Sequence, residues 1–265
     1  MRYAKGTFVI TAGRDIPLLR LVRNCRFVSH SQLFELLQYE GAASCRRTFN
    51  WRVQRLLNTF HIERLRSTSW QGFPVYSISQ NGLRELESQG EFSLALHSRT
   101  RRMPDSAQVF HALELNSIRL ALTRTALLIS WRSEVEISSS NLVLCAYQKD
   151  YDAIVKVWLG SEMREFALEY ERSLKSARQY AKVRTALEAE RQIACVLYLA
   201  PNADLLQAIL YQLTPLAKSV GFAIARSLKE QLLATLVSID ANETTVTLER
   251  FLQYAHPLYA SSRPV

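Results

Sequence analysis

Long hydrophobic runs and glycine are both scarce in this chain of 265 residues. No apolar run reaches the roughly 18 residues that a membrane-spanning helix requires, and Met1–Ile10 lacks the apolar segment of a signal peptide. We therefore expect a cytoplasmic protein without a membrane partner. With only 8 glycines, the chain also lacks a glycine-rich phosphate-binding loop, which argues against a nucleotide-binding fold of the Rossmann type.

Cysteines are few and far apart in the sequence. Cys25, Cys45, Cys145 and Cys195 form no CxxC pair, and no histidine stands at metal-ligand spacing from them. This pattern excludes a disulfide scaffold and a zinc finger. We expect four reduced, mostly buried thiols, as in a reducing compartment.

Lysine is nearly absent from the first part of the chain, where arginine replaces it. Residues 1–103 contain 16 Lys or Arg against 7 Asp or Glu, whereas residues 104–265 contain 17 of each, so the formal charge of +9 arises entirely in the first part. Lys5 is the only lysine among those 16 cations. Because the guanidinium group binds phosphate and guanine edges through two parallel hydrogen bonds, this surplus favours a nucleic-acid partner.

Three helical patterns and a hairpin pattern follow one another in the first part. The predicted elements are helices over Ile16–Asn24 and Gln32–Tyr39, a third helix opening at Ser44, strands over Ile62–Ser67 and Pro74–Ile78, and a helix over Gly82–Ser88. This order, together with the segment HIERLRS…GFPVYSISQNGLRELE, resembles the winged helix-turn-helix of DNA-binding proteins. In such domains the third helix lies in the major groove.

The third helix is predicted to carry an apolar stripe on one side and arginines on the other. The residues that the winged-helix resemblance offers for base readout are Arg46, Arg47, Arg52 and Arg55. Those offered for phosphate contacts are Arg64 and Arg66 on the wing and Arg99, Arg101 and Arg102 on a basic linker. The alternative is that this face docks a protein.

Periodicity is lost over residues 90–105, which end in an arginine-rich segment and a proline. We place the domain boundary there, with a DNA-binding domain and its linker over residues 1–103 and a second domain over residues 104–265. The second domain is predicted to contain, in order, helix Val109–Leu128, strands Ile129–Ile137, Tyr151–Leu159 and Glu165–Glu171, helix Leu174–Arg191, strand Ala194–Leu199, helix Leu205–Val220 and a strand near Phe222–Ala225.

The order α-β-β-β-α-β of the second domain resembles the core of the PD-(D/E)XK nucleases, an α/β domain with a central mixed sheet. The resemblance implies a Mg²⁺ or Mn²⁺ site with Glu134, Asp152 and Glu169 as ligands, and Glu136 is equally eligible for the place of Glu134. The motif calls for Glu-x-Lys, but here Glu171 occupies the lysine position. Lys175 or Lys182 is offered as the replacement, so an active metal-dependent endonuclease and an inactive nuclease-like domain both remain open.

Both halves together resemble the replication-relaxation family of plasmids and mobile elements. The similar segments are FHALELNSIRLAL, YDAIV and FALEYERSLKSARQYAKV, which follow the winged-helix half. The resemblance implies a double-stranded DNA-binding protein that acts in replication, transfer or regulation of its element, at the nucleoid. A homodimer, or assembly with other proteins of the element, is the further partnership considered. His111 and Asn116 are expected to serve packing and hydrogen bonding rather than ligand binding.

Overall fold

A computed structural model describes residues 9–65, 72–91, 105–240 and 244–255. Its contacts divide the chain into two compact units, Met1–Asn116 and Ser117–Val265. The protein is a mixed α+β structure with two sheets, one in each unit. Arg66, Arg99, Arg101 and Arg102 lie outside the described residues.

The first unit combines helices with a small antiparallel sheet whose strand order is β1-β3-β2. All the helices predicted there are present, and the structure adds the short strand β1, which was not predicted. The elements are α1 (Asp15–Cys25), β1 (Val28–Ser29), α2 (His30–Tyr39), α3 (Arg46–Asn58), β2 (Ile62–Leu65), β3 (Val75–Ile78) and α4 (Gln80–Ser88).

Local sequence signals explain where these helices begin and end. Ser29 and Gln32 form a capping box at the start of α2, each side chain accepting a hydrogen bond from the other residue's backbone N–H. After α2, Gly41 adopts a φ of 70°, a conformation that favours glycine and stops the helix. The fully buried Leu18 and Leu33 belong to the core on which these helices pack.

The second unit is built on a seven-stranded mixed sheet in the order β10-β9-β8-β7-β6-β5-β4. Strand β6 pairs in parallel with β7, and β7 with β8, whereas the other pairs are antiparallel. The elements are α5 (Ser106–Arg124), which begins in the first unit, then β4 (Leu128–Ser133), α6 (Glu134–Leu144), β5 (Ala153–Leu159), β6 (Glu162–Tyr170), α7 (Ala177–Ala189), β7 (Cys195–Ala200), α8 (Ala203–Leu213), β8 (Ser219–Ile224), α9 (Ala225–Gln231), a 3₁₀ turn (Leu232–Ala234), β9 (Leu236–Ser238), β10 (Thr245–Thr247) and α10 (Leu248–Tyr254).

The predicted strand Ile129–Ile137 is wrong beyond Ser133, because a helix begins there. Ser133 and Glu136 form a capping box, in which the Glu136 carboxylate accepts the backbone N–H and the hydroxyl of Ser133 at 2.9 and 2.7 Å. This reciprocal cap outweighs the alternating polarity that favoured a strand. Glu134 therefore lies in the first turn of α6 and not on a strand.

Two predicted helices are shorter in the structure than the periodicity indicated. The helix predicted over Leu174–Arg191 begins at Ala177, because Ser176 caps it in a box with Gln179, so the expectation that Lys175 lies in its first turn is wrong. The helix predicted over Leu205–Val220 ends at Leu213. Pro215 follows shortly afterwards and cannot donate the hydrogen bond that would continue the helix.

None of the helices in the described part of the chain has the length and apolar character needed to cross a membrane. None of the four cysteines, all of which lie in the described ranges, forms a disulfide; Cys25 and Cys195 are buried, but Cys45 and Cys145 are exposed. The expectation of mostly buried thiols therefore holds for only half of them.

Asp15 is a fully buried carboxylate on which α1 and α3 both depend. It accepts the backbone N–H and the hydroxyl of Thr11, each at 2.8 Å, and forms an ion pair with Arg55 of α3. We predict that Asp15→Ala lowers the free energy of unfolding by about 3 kcal/mol, because it leaves these donors without their acceptor. Urea denaturation measures this, with the exposed Glu63→Ala as the matched control. A loss no greater than that of the control would contradict the prediction.

Candidate functional site

Arg46 and Arg47 lie exposed in the first turn of α3, as the sequence predicted. The Arg46 guanidinium stacks over the Phe34 ring of α2, with its carbon 4.4 Å from the ring centroid. Helix α3 contains no acidic residue, so no carboxylate on the helix itself offsets this charge. On strand β2, Arg64 is exposed as well.

The prediction that Arg52 is displayed beside them is wrong. Its side chain is buried, and its guanidinium donates hydrogen bonds to the carbonyl oxygens of Arg14 and Ala42 at 3.1 and 3.0 Å. Arg55 is partly exposed and is held by its ion pair with Asp15. Both arginines therefore tie α3 to the residues around the start of α1 and the end of α2.

Sequence reasoning missed three exposed side chains on the same face of α3. Asn50, Trp51 and Gln54 follow Arg47 at spacings of three and four residues, which place side chains on one face of a helix. Trp51 is 64% exposed, and the Arg55 guanidinium lies 4.9 Å from its ring centroid. The positive charge of the arginines does not point to the neighbouring amides, although amides are the groups that read adenine.

In the second unit, β5 and β6 bring two predicted acids together. Asp152 directly precedes β5, and Glu169 lies on β6, where the antiparallel register pairs the neighbouring residues Ala153 and Leu168. The Asp152 carboxylate accepts the backbone N–H of Tyr170 at 2.7 Å, which fixes it at the end of β6. The register and this hydrogen bond place Asp152 beside the strand segment that carries Glu169.

Glu169 is buried and forms an ion pair with Lys149, whose Nζ lies 2.6 Å from Glu169 Oε1. Burial raises the pKa of Glu169 to about 7, the Lys149 ammonium opposes this rise, and the nearby Asp152 carboxylate adds to it. Lys149 was not predicted as a site residue, because it lies in the loop before β5 and belongs to no recognised motif.

The loop that carries Lys149 is anchored by the buried Glu190. The Glu190 carboxylate accepts the backbone N–H of Gln148 at 3.0 Å and the Tyr151 hydroxyl at 3.3 Å. The Lys149 ammonium lies 5.1 Å from the Tyr151 ring centroid. These contacts hold the loop in the position from which Lys149 reaches Glu169.

Glu171, one residue beyond the end of β6, is also buried and forms an ion pair with Lys175. Burial opposes the charged form of Lys175. The Glu171 carboxylate, with smaller contributions from Glu169 and Asp152, nevertheless raises the pKa of Lys175 overall. Lys182 is exposed on α7 and belongs to neither ion pair. Of the two lysines offered as replacements, the structure brings only Lys175 to the acids.

Glu134, the third predicted ligand, is positioned next to Asp152 through the backbone. Its N–H donates to the carbonyl oxygen of Asp152 at 3.0 Å, so the start of α6 adjoins the start of β5. Among the described residues, however, no three His, Cys, Asp or Glu side chains are arranged to hold a metal ion.

A buried hydroxyl with unused hydrogen-bonding capacity lies among these charges. Tyr198 on β7 is opposite Glu169 in the parallel register, and within the described ranges its hydroxyl has no hydrogen-bond partner. Burial raises the pKa of Tyr198 well above its ordinary value, and Glu169 and Glu171 raise it further. The carboxylate–lysine cluster, as we call Lys149, Asp152, Glu169, Glu171 and Lys175, thus borders a polar group that a bound water would satisfy.

Asn116 serves hydrogen bonding, as expected from the sequence. It is buried at the end of the first unit, where its side-chain amide donates to the carbonyl oxygen of Phe27 at 2.8 Å. His111 lies on the same helix, α5, and is partly buried.

The fold and the cluster define an α+β protein that carries paired acids and lysines at one end of a mixed sheet. A model of the replication-relaxation family matches residues 19–195, about two thirds of the chain, and the protein belongs to that family. Membership suggests a role in the replication or relaxation of a plasmid or another mobile element. No curated protein and no solved structure matches the chain.

The raised pKa of Glu169 predicts a pH dependence of stability. Between about pH 4.5 and pH 7 the folded protein binds more protons than the unfolded chain, so the free energy of unfolding should fall as the pH rises through this window. Glu169→Gln cannot titrate and should show a smaller fall. Urea denaturation at several pH values in metal-free buffer measures it.

The matched control is Glu162→Gln, because Glu162 is an exposed carboxylate on the same strand. This variant should keep the wild-type pH dependence. An unchanged pH dependence in Glu169→Gln would show that Glu169 titrates normally.

Proposed function

We propose that the protein binds double-stranded DNA through α3 of its first unit, in the service of replicating or relaxing a mobile element. The order of helices and strands in this unit, with the third helix followed by a β-hairpin, resembles a winged helix-turn-helix. In that arrangement α3 enters the major groove and the hairpin contacts the backbone. The protein would act in the cytoplasm, at the nucleoid.

The observation that carries this proposal is the exposed face of α3. It presents Arg46 and Arg47 without an acidic residue on the helix, beside the amides of Asn50 and Gln54. Arginine binds guanine and amides bind adenine through paired hydrogen bonds, so the face combines phosphate-neutralising charge with two amides that would read bases on exchanging their present partners, His30 for Asn50 and Asn58 for Gln54. Arg64 on β2 is the described candidate for a backbone contact from the hairpin.

We predict that the double variant Arg46→Ala/Arg47→Ala weakens duplex binding by about tenfold or more and lowers the salt dependence, because fewer counterions are released. Fluorescence anisotropy with duplex DNA over roughly 50 to 200 mM salt measures both quantities. The exposed Arg84→Ala on α4 removes one positive charge outside α3, against two in the double variant, and serves as the control.

Equal losses in Arg84→Ala and in the double variant would contradict a role for α3. The alternative that α3 docks a protein makes a different prediction. In that case Arg46→Glu would abolish partner binding and leave duplex binding untouched.

A second function, metal-dependent cleavage of DNA by the second unit, is favoured by the placement of Asp152 and Glu169. The second unit follows the order α-β-β-β-α-β through α5, β4, β5, β6, α7 and β7. Helix α6 is inserted after β4. Strands β4 to β7 are neighbours in the sheet. This order resembles that of the PD-(D/E)XK nuclease core, and the resemblance assigns Asp152 and Glu169 as its two motif acids.

The donor chemistry of the cluster fits Mg²⁺ or Mn²⁺. Magnesium usually takes one or two carboxylates and keeps several waters, so Asp152 and Glu169 suffice, and the unpartnered Tyr198 hydroxyl could bind such a water. When bound, the ion would supply Lewis-acid stabilisation and an activated water. Lys149 and Lys175 are ion-paired with Glu169 and Glu171, so a metal ion on Glu169 would displace the Lys149 ammonium, which would then be available to a phosphate.

We predict that Asp152→Asn and Glu169→Gln abolish Mg²⁺- or Mn²⁺-dependent cleavage and leave duplex affinity intact, because the acids hold the metal and α3 holds the DNA. Supercoiled and linear DNA are the substrates, and Glu162→Gln is the control. If the wild type cleaves with neither metal, the second unit is a non-catalytic domain for binding or assembly. Cleavage that persists in both variants would contradict the assignment of these acids.

A further inference from the structure

A cavity of about 770 Å³ lies in the second unit, between the end of α8, the start of β8, strands β9 and β10, and helix α10. Its volume is within the range of about 300 to 1,000 Å³ that small-molecule sites occupy. None of the described residues that line this cavity belongs to the carboxylate–lysine cluster. Its principal lining residues are Tyr211, Lys218, Val246, Arg250, Phe251 and Tyr254.

Two tyrosines at this cavity are unusually exposed for residues on amphipathic helices. Tyr211 on α8 is 61% exposed and Tyr254 on α10 is 67% exposed, although the other large apolar side chains of both helices are buried or half-buried. Phe251, for example, is buried one turn before Tyr254, and Leu210 is buried next to Tyr211. Both rings thus reach solvent although close neighbours on the same helices are buried.

Two of the described residues that line the cavity, Lys218 and Arg250, are cations. The Arg250 guanidinium lies 5.6 Å from the ring centroid of Tyr254 on the same helix. Lys218 donates from its ammonium to the carbonyl oxygens of Glu190 and Ile193, and Arg184 donates to the carbonyl oxygen of the lining residue Pro215 at 3.1 Å. Asp240 is the one acid among the described lining residues.

We propose that this cavity binds an unpaired nucleotide of a DNA single strand, whose base stacks on Tyr211 or Tyr254 and whose phosphate meets Arg250. Exposed aromatic rings that alternate with positive charge are the means by which proteins hold single strands without reading their sequence. The exposed Arg250 guanidinium offers a positive charge to a phosphate, and the apolar lining residues Val246 and Phe251 suit the face of a base. Both the proposed duplex site on α3 and this proposed single-strand site bind DNA, but the two sites have no residue in common.

The test is binding of the full-length protein to a single strand of about ten nucleotides that carries one 2-aminopurine. We expect quenching on binding, and Tyr254→Ala or Tyr211→Ala should weaken affinity about tenfold, because each removes one stacking platform. Tyr254→Phe keeps the ring and should bind as the wild type does. Arg250→Ala should lower the salt dependence by about one ion.

The matched control is Tyr39→Ala, which removes a half-exposed tyrosine of α2 in the first unit. Duplex affinity is measured in parallel for every variant and should not change, so loss of duplex binding and loss of single-strand binding are separate outcomes. Single-strand binding that is equal in wild type, Tyr211→Ala and Tyr254→Ala would overturn the proposal and leave a protein segment as the occupant. Deoxyadenosine monophosphate that competes as well as the strand would overturn it in favour of a free nucleotide.

Discussion

The burial of Glu169 at the end of β6 is the constraint around which the second unit is arranged. A carboxylate removed from water needs a nearby cation and hydrogen-bond donors, or it takes up a proton. Lys149 supplies the cation, and its loop is held by Glu190, which is itself buried. Asp152 is directed to the backbone of Tyr170, one residue from Glu169. One buried charge thus determines the positions of a loop, a strand end and a second acid.

Much of the fold was predictable because hydrophobic periodicity and burial agree along most of the chain. The helices of the first unit and the α-β-β-β-α-β order of the second follow the apolar spacing, which records the side of each element that faces the core. The failures occur where a short polar signal overrules periodicity. Ser133 with Glu136, and Ser176 with Gln179, start helices by capping backbone N–H groups, and a pattern of apolar residues does not register this.

The candidate sites were predictable in part, for a related reason. Asp152 and Glu169 could be found because the resemblance to the PD-(D/E)XK core assigns acids to their two strands, whereas Lys149 lies in a loop whose path depends on a distant carboxylate, Glu190. Arg52 was misjudged because arginine normally lies in water. Here two backbone carbonyls, from Arg14 and Ala42, receive its guanidinium, and their positions depend on tertiary structure.

The parallel pairing of β6 with β7 determines when the cluster can exist during folding. Glu169 and Tyr198 become neighbours only after the chain has crossed over through α7, and parallel crossovers close more slowly than hairpins because a longer loop must be ordered first. The hairpin of β5 and β6 can bring Asp152 near Glu169 earlier. In a nascent chain the two acids can therefore lie side by side before β7 has paired with β6. The cluster is complete only when β7 has brought Tyr198 next to Glu169.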